Sequence, residues 1–277
     1  MIRSSFLFAV QQYKSWLLSP RTLLAVYLSV FLYDSVTKGI LGICSQTGYV
    51  INIAEPLAVI LTKSVYAAII PIVFIALMSD FPKTEGSIFY VYRMSRSSWI
   101  FGEIIFAVFS SLTYIFSLMA CTAIYCMGHC SFNNLWSDYT TKLYLEFPQI
   151  YAFNTSLTVV PSVYTQGRPW EVIFRSIMLM FLYTMILSLL IMLFKLIGKG
   201  EAGVVLGIAL TLFGFASDSG ASPMMWIFPI THTVYGWHFD QFFRKQFFSL
   251  TASYIYLISV FAVLLAVDLI LSKKARL

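Results

Sequence analysis

The stretch that decides the fold is IIFAVFSSLTYIFSLMACTAIYCM, residues 104–127, which runs for twenty-four residues without a formal charge. An α-helix rises about 1.5 Å per residue, so this stretch would extend over about 36 Å. The hydrocarbon core of a bilayer is about 30 Å thick. The stretch is therefore long enough and apolar enough to form a membrane-spanning helix, and several other runs in the chain meet the same criterion.

The composition of the whole chain indicates the same environment. Hydrophobic residues make up 59% of the chain and charged residues only 11%, whereas soluble domains carry about 25% charged residues. This excludes a water-soluble globular protein and makes membrane lipids the expected surroundings. The net charge is +6, but the basic residues form no dense patch, so no nucleic-acid partner is expected.

The hydrophobic pattern predicts an all-α integral membrane protein with one transmembrane domain over residues 1–277. Six spans are predicted, at residues 22–43, 57–78, 99–127, 172–194, 202–217 and 250–271. The fifth span is short, and charged residues interrupt the first.

Three further segments frame these spans. Within residues 1–21, the stretch 4–18 has an amphipathic pattern that predicts a helix in the membrane interface plane, with a simple extension of the first span as the alternative. Residues 128–171 and 218–249 are polar or broken segments predicted on the outer side. The second of these is aromatic and interrupted, which predicts short helices before the last span.

Basic residues set the expected orientation. With the N-terminus inside, eleven of the 18 lysines and arginines fall in cytoplasmic segments. Cytoplasmic loops carry an excess of Lys and Arg. The prediction is a multi-pass protein of the cytoplasmic membrane with both termini in the cytoplasm.

Asp34 and Lys38 are the most unusual charges, because they lie within the first predicted span. They are one helical turn apart and can pair on one face, which lowers the cost of holding either in lipid. In one interpretation they line a translocation path or a subunit seam. In the other, the span ends near Tyr33 and both residues lie at the outer interface.

No sequence motif for catalysis or metal binding is present. The chain has no GxxxxGK[ST], HExxH or GxSxG sequence, so it has no visible P-loop for ATP and no common hydrolytic site. Cys126, His129 and Cys130 offer three ligands where a structural zinc site needs four. We therefore expect no catalytic residue, metal or cofactor in this chain.

The four cysteines are expected to be buried free thiols, with an outer disulfide involving Cys44 as the alternative.

The loop between the second and third spans, residues 79–98, is the most specific segment. Its aromatic content indicates that a lipid surface or a partner protein covers it. Here the chain resembles the type-2 ABC exporter permeases. The matching elements, in order, are Glu85-Gly86, Met94-Ser95-Arg96 and Gly102-Glu103. The chain departs from the family at Glu103, where the family usually has Lys.

The layout of the rest of the chain follows the same resemblance. The family has an interfacial N-terminal helix, six spans and a broken outer segment before the last span, often with a Pro-led aromatic motif. Phe228-Pro229-Ile230-Thr231-His232 looks like that motif. Phe228, Pro229 and His232 are therefore the expected outer gate residues.

The resemblance implies the function of a permease subunit. A separate ATPase subunit would bind ATP and Mg, and two ATPase subunits would dock under the coupling loop 79–98. Glu85, Gly86, Arg93 and Arg96 would make or position that contact. A second permease chain, identical or related, would complete the passage.

The sequence indicates only a broad class of cargo and leaves two other functions open. The aromatic outer segments suggest an amphipathic or apolar cargo, such as an antimicrobial peptide, a drug or a lipid-like molecule. Two alternatives come from other classes of protein. One is a membrane-embedded enzyme that uses His232, His238 and Asp240. The other is a non-transporting receptor or immunity protein that captures a ligand outside.

Overall fold

The computed structural model describes residues 2–81, 94–128, 130–217, 223–240 and 246–274. The helices are α1 Ile2–Leu17, α2 Pro20–Thr47, α3 Ala54–Thr62, α4 Ser64–Met78, α5 Arg96–Cys126, α6 Asp138–Glu146, α7 Pro148–Phe153, α8 Pro161–Tyr164, α9 Pro169–Leu196, α10 Gly200–Ala216 and α11 Leu250–Lys274. Short 3-10 turns are found at Thr155–Leu157, Pro223–Ile227, Pro229–Thr233 and Tyr235–His238. Two residue pairs, β1 Ile51–Asn52 and β2 Cys130–Ser131, form a minimal parallel ladder.

Four of the described helices are long and apolar enough to cross a membrane, namely α2, α5, α9 and α11. Helices α3 and α4 together add a fifth candidate. These lengths and compositions confirm the prediction of a mainly helical membrane protein. Helix α10 has 17 residues and extends about 26 Å at 1.5 Å per residue, so it is shorter than the core of a bilayer.

Helix α9 is the centre of the bundle. In the most apolar eighteen-residue stretch of α9, 67% of the residues are buried, whereas in the corresponding stretch of α11 only 17% are buried. Helices α10, α11, α3 and α5 all pack against α9. The contact with α10 is close, because a Cβ at Gly203 would lie 3.2 Å from the Cα of Ile191. A hydrogen bond of 2.7 Å between the Tyr183 and Thr211 hydroxyls joins the same two helices. Small residues and such polar links are the usual means of holding membrane helices together.

Helix α1 packs along α5 rather than extending α2. It ends at Leu17, and the Ser19 hydroxyl accepts a hydrogen bond from the Arg21 backbone at the start of α2. Gly102 allows the close contact with α5, since a Cβ there would lie 2.6 Å from the Phe8 ring. The separate N-terminal helix is therefore confirmed. Its apolar Phe6 and Leu7 point away from the protein.

The second predicted span is not one continuous helix. It breaks at Lys63, whose backbone is extended, and the axes of α3 and α4 differ by 82°. Lys63 donates a hydrogen bond of 2.8 Å from Nζ to the carbonyl of Thr155. This hydrogen bond ties the break to the loop end of the molecule. The bend places every residue of α3 in the interior, beneath the segment that follows β2.

The bundle has two distinguishable ends. The terminal end contains Asp80, Arg96 and the turn between α9 and α10, linked by Lys195 Nζ to the Asp80 carbonyl at 2.8 Å and by Arg96 Nη1 to the Ser272 carbonyl at 3.4 Å. The loop end contains residues 48–53, 130–168 and 223–240. The long segment after α5 is folded there into α6, α7 and α8.

Glu55 anchors the loop end. Its side chain is fully buried and accepts hydrogen bonds from the backbone N–H and the hydroxyl of Ser137, at 2.6 and 2.7 Å. Asn52, three residues earlier, donates to the carbonyls of Asn133 and Leu135. These bonds join the start of α3 to the start of α6. The buried Glu55 carboxylate needs hydrogen-bond donors to replace water, and Ser137 provides two of them.

We expect Glu55→Ala to destabilise the protein by about 1–3 kcal/mol, since it leaves the partly buried Ser137 donors without their acceptor. Glu55→Gln, which retains one carbonyl oxygen, should lose less. Thermal unfolding in detergent measures both. Glu201→Gln, at an exposed acid of the terminal end, is the matched control. Equal melting temperatures for Glu55→Ala and the control would refute the anchoring role.

Candidate functional site

Asp34 and Lys38 lie in the middle of α2. This helix has 28 residues, of which Asp34 is the fifteenth, so the carboxylate lies about 21 Å along an axis of about 42 Å. The helix continues beyond the pair to Thr47 and ends at Gly48, which has the left-handed φ of 76°. The helix itself therefore does not end near Tyr33, and both interpretations of the pair, within the span or at the outer interface, stay predictions.

The two charges pair with each other and face away from the bundle. Lys38 Nζ lies 2.8 Å from Asp34 Oδ1, and the side chains are 65% and 68% exposed. Leu32, Val36 and Ile40, on the other side of the helix, are buried against the protein. The pair is therefore presented at mid-length on the outer face of an otherwise apolar helix.

The backbone is irregular at this point. Residues Tyr33–Thr37 form a π-turn, in which the Lys38 N–H donates to the carbonyl of Tyr33. Beside it, the Tyr33 ring stacks on Tyr125 of α5 with centroids 4.1 Å apart. Single π-turns within α-helices are found frequently at functional sites. The irregularity and the charged pair coincide within one turn of helix.

The exposed face of α2 changes character along its length. Before the pair it is apolar, with Tyr27, Val30 and Phe31 exposed. From the pair to the loop end it is polar. We call this second part the polar stripe, and it consists of Asp34, Lys38, Gly42, Ser45 and Gln46, all exposed. No heavy atom lies within 4 Å of a Cβ built on Gly42, so the stripe borders open space.

A polar stripe of this kind is unfavourable against lipid tails. Charged residues within membrane helices almost always face the interior of a bundle, a water-filled cavity or one another. An exposed pair that is satisfied only by its own partner still leaves the remaining donors and acceptors without water. The arrangement therefore favours contact of the stripe with water or with another protein surface.

At the terminal end, the described part of the predicted coupling loop includes Arg96. It is the first residue of α5, so it lies at the base of a 31-residue helix. Glu85, Gly86 and Arg93 lie outside the described residues. Nearby, a cavity of about 810 Å³ separates the end of α4 from the α9–α10 turn. Among the residues that line it are Asp80, Lys195, Lys199 and Glu201.

The residues predicted to form an outer gate lie in a segment that packs against α10 and α11. Phe228 and Ile230 contact α10 at Gly214, where a Cβ would lie 2.9 Å from the Phe228 Cβ. Pro229 begins the 3-10 turn that contains His232. The structure therefore confirms short broken helices before α11.

Two histidines of this segment meet at one hydroxyl. His232 Nδ1 lies 2.9 Å and His238 Nε2 lies 2.8 Å from Ser253 Oγ. All three residues are fully buried. Burial lowers the pKa of both rings, to about 4 for His238. Sequence reasoning had paired the histidines with Asp240 and missed Ser253, because a serine in an apolar helix carries no distinguishing signal.

The cysteines are free thiols, as expected. Cys44 and Cys126 are buried, and Cys121 and Cys130 are partly buried. A thiol contact between Cys126 and Cys130 lowers the pKa of Cys130. Within the described ranges, no group of three or more His, Cys, Asp or Glu residues is placed to hold a metal ion. His129 lies outside those ranges.

Two carboxylates of the long apolar helices, Glu103 and Asp268, are fully buried. Glu103 is the eighth residue of α5, too far from the helix start to benefit from its dipole. It accepts a hydrogen bond of 3.2 Å from Gln12 Nε2. Asp268 of α11 is fully buried, and neither of its carboxylate oxygens has a hydrogen-bond partner among the described residues. The side chains of Lys273 and Lys274 lie outside the described part of the chain.

No family model, no curated protein and no solved structure matches this chain.

We expect Lys38→Leu to destabilise the protein by more than the double change Asp34→Leu with Lys38→Leu. The single change leaves one charge in an apolar setting, at a cost of about 2.5–3.5 kcal/mol, whereas the double change removes both charges. The exchanged variant, Asp34→Lys with Lys38→Asp, keeps the pair and should remain close to the original stability. Thermal unfolding in lipid nanodiscs measures these differences.

The control is the Asp138–Lys142 pair of α6, which has the same spacing and an N–O distance of 3.1 Å. It lies outside the long apolar helices. Lys142→Leu should change the stability by less than about 1 kcal/mol, as for other solvated surface pairs. If Lys38→Leu changes stability no more than Lys142→Leu, the pair is solvated like any surface pair and α2 does not hold it within the membrane.

Proposed function

We propose that this chain is the membrane-spanning subunit of an ATP-driven exporter, related in design to the type-2 ABC exporter permeases. The observation that carries the proposal is the polar stripe of α2. A helix that holds Asp34 and Lys38 at mid-length on its outward face requires a second protein surface or a water-filled passage. A permease subunit, which completes its passage by pairing, meets this requirement.

The proposed topology has six spans. Helices α2, α5, α9 and α11 cross the membrane as single helices. The bent pair α3–α4 crosses once, with α3 lying beneath the outer segments. Helix α10 crosses as a short span whose remaining depth is covered by the 3-10 turns that follow it. Helix α1 lies at the interface, with Phe6, Leu7 and Leu17, which are exposed, in contact with lipid.

Both termini are proposed to lie in the cytoplasm. The terminal end carries Arg21, Arg96, Lys195 and Lys199, and cytoplasmic ends of membrane proteins are rich in such residues. Arg21 Nη1 pairs with Asp80 Oδ2 at 2.7 Å. This ion pair joins the start of α2 to the end of α4, directly before the coupling loop.

The coupling loop would receive the work of an ATPase partner. Arg96 begins α5, and α5 extends from the terminal end to the loop end. Helix α1 is fixed to α5 through Gly102 and the Gln12–Glu103 hydrogen bond. A displacement at Arg96 would therefore move α1 and α5 as one unit. ATP and Mg would be bound by the ATPase, and Glu85, Gly86, Arg93 and Arg96 are the proposed contacts.

The cargo class follows from the surfaces available. The stripe provides one acidic and one basic side chain beside apolar and hydroxyl groups, without a ring of like charges that would select ions. An amphipathic cargo, such as a peptide or a drug, suits this mixture. Movement across the membrane would occur between the stripes of two permease chains, with Phe228, Pro229 and His232 at the outer exit.

A membrane-embedded enzyme is the second candidate, and the placement of Ser253 between two imidazoles is what favours it. A hydroxyl next to a histidine is the usual arrangement of an activated nucleophile. Ser253 is fully buried, however, and aromatic side chains surround both imidazole rings. A substrate could not reach the hydroxyl without opening this segment, so transport is the preferred function.

We expect the chain to be recovered from mild detergent together with a P-loop ATPase, and the complex to hydrolyse ATP. Arg96→Glu should lower hydrolysis at least several-fold, because it reverses the charge at the base of α5. Lys142→Glu, at the opposite end of the molecule, is the control and should leave hydrolysis unchanged. The readouts are the composition of the purified complex and its phosphate release.

Recovery of the chain alone, with export activity intact and no ATP hydrolysis, would contradict the proposal. A complex whose hydrolysis is equally sensitive to Lys142→Glu and Arg96→Glu would contradict the assignment of the coupling surface. If His238→Ala abolished a chemical activity while the complex remained assembled, the enzyme candidate would replace the exporter.

A further inference from the structure

The cluster of His232, Ser253 and His238 has one hydrogen fewer than its hydrogen bonds require. Four links run through it. His232 Nε2 faces the Trp226 carbonyl at 2.9 Å, and its Nδ1 faces Ser253 Oγ. His238 Nε2 faces the same Oγ, and its Nδ1 faces the carbonyls of Val234 and Tyr235 at 3.2 and 3.3 Å.

The two outer links determine where the ring protons must lie. A backbone carbonyl only accepts hydrogen bonds, so His232 carries its proton on Nε2 and His238 carries its proton on Nδ1. In the neutral rings the other two nitrogens are then bare acceptors, and both face Ser253. The serine hydroxyl has one hydrogen to donate, so it satisfies one of these nitrogens and leaves the other without a donor.

We infer that His232, Ser253 and His238 form a binding site for one proton. The added proton completes a continuous chain: one ring, now an imidazolium, donates to Ser253 Oγ, and the hydroxyl donates to the other ring. All four links are then occupied. A second proton would leave two N–H groups directed at the same oxygen, with no nitrogen to receive the hydroxyl hydrogen, so the site takes up a single charge.

The surroundings suit one shared positive charge. The Tyr256 ring stacks on His232 with centroids 4.3 Å apart, and the Trp226 ring lies 5.3 Å from His232 and 5.2 Å from His238. Phe248 closes the cluster at 5.3 Å from His232. Aromatic rings within about 6 Å stabilise a cation through their π-electrons. This partly offsets the cost of burial, which lowers the pKa of both rings.

Within the described part of the chain, no carboxylate shifts the pKa of His232 or His238. Among the described residues, His232 is the only charged group that shifts the pKa of His238, and it lowers that pKa. Tyr256 of α11 directs its hydroxyl to the Ile227 carbonyl at 2.6 Å. On the side of α9, Arg175 lowers the pKa of Tyr235 and Glu171 raises it. Arg175 and Glu171 pair with each other. Asp240 follows two residues after His238. The chain of hydrogen bonds is therefore the feature of the described residues that would hold the bound proton.

The direct test is a ¹⁵N NMR titration of the histidine rings in the full chain, reconstituted in lipid nanodiscs, with His129→Asn to remove the third histidine. Between pH 8 and pH 4, the ¹⁵N chemical shifts of the ring nitrogens should report the uptake of one proton in total, shared by the two rings. Its apparent pKa should lie between about 4, the value set by burial for His238, and the unperturbed value of about 6.5.

Ser253→Ala removes the hydroxyl through which the rings share the proton, so proton affinity should fall at least tenfold, which moves the apparent pKa down by one unit or more. Ser253→Thr retains the hydroxyl and should restore the titration. Ser259→Ala is the matched control, because the Ser259 hydroxyl donates to the Ile255 carbonyl on the same helix and is exposed.

Three results would overturn the assignment. They are uptake of two protons, the absence of uptake above pH 4 in the otherwise unchanged chain, and an unaltered titration in Ser253→Ala. The first two need no variant at Ser253, so the inference can be refuted even if Ser253→Ala fails to fold. None of these results depends on an ATPase partner, and the exporter proposal is therefore tested separately.

Discussion

The structure depends on one constraint, namely that an ion pair held within an apolar helix must face something more polar than lipid. Helix α2 runs unbroken from Pro20 to Thr47 with Asp34 and Lys38 at its middle. The π-turn at Tyr33–Thr37 marks the same position in the backbone. Because the pair points away from the bundle, we propose that a passage or a second subunit completes the environment that the pair requires.

The rest of the bundle supports that surface from behind. Helix α9 supplies a buried centre, and α5 connects the two ends of the molecule while α1 is fixed along it. Glu55 secures the folded segments of the loop end to the start of α3. Helix α2 is thereby held with one face against packed protein and the other face open. The histidine cluster belongs to a different part of the molecule, between the 3-10 turns and α11, and its proton chemistry is independent of the stripe.

Much of the fold could be predicted from the sequence, because uncharged runs longer than the bilayer core allow few alternatives to a spanning helix. The segments around 104–127, 172–194 and 250–271 all became long helices. The break at Lys63 could not be predicted, since the run around it is apolar and the Thr155 carbonyl that Lys63 contacts at the bend is distant in the sequence. For the same reason Ser253 was missed, because its role exists only after residues fifteen and twenty-one positions away are folded against it. Asp34 and Lys38 could be picked out from the sequence because they are charged residues in an apolar run. Only the structure shows that the pair lies in the middle of a helix that continues from Pro20 to Thr47.

The most direct measurement of the central claim is the environment of the polar stripe in a bilayer. A nitroxide label at Gly42→Cys, where no heavy atom lies within 4 Å of the added Cβ, would be compared with one at Ile258→Cys, on an exposed apolar position of α11. Both would be made with the four natural cysteines replaced, and collision rates with oxygen and with a water-soluble nickel complex would be recorded. The label at Gly42 should collide with the nickel complex or be immobilised by a second protein surface, and the label at Ile258 should collide mainly with oxygen. A Gly42 label as mobile and as oxygen-exposed as the Ile258 label would show that the stripe faces lipid, and would contradict the account.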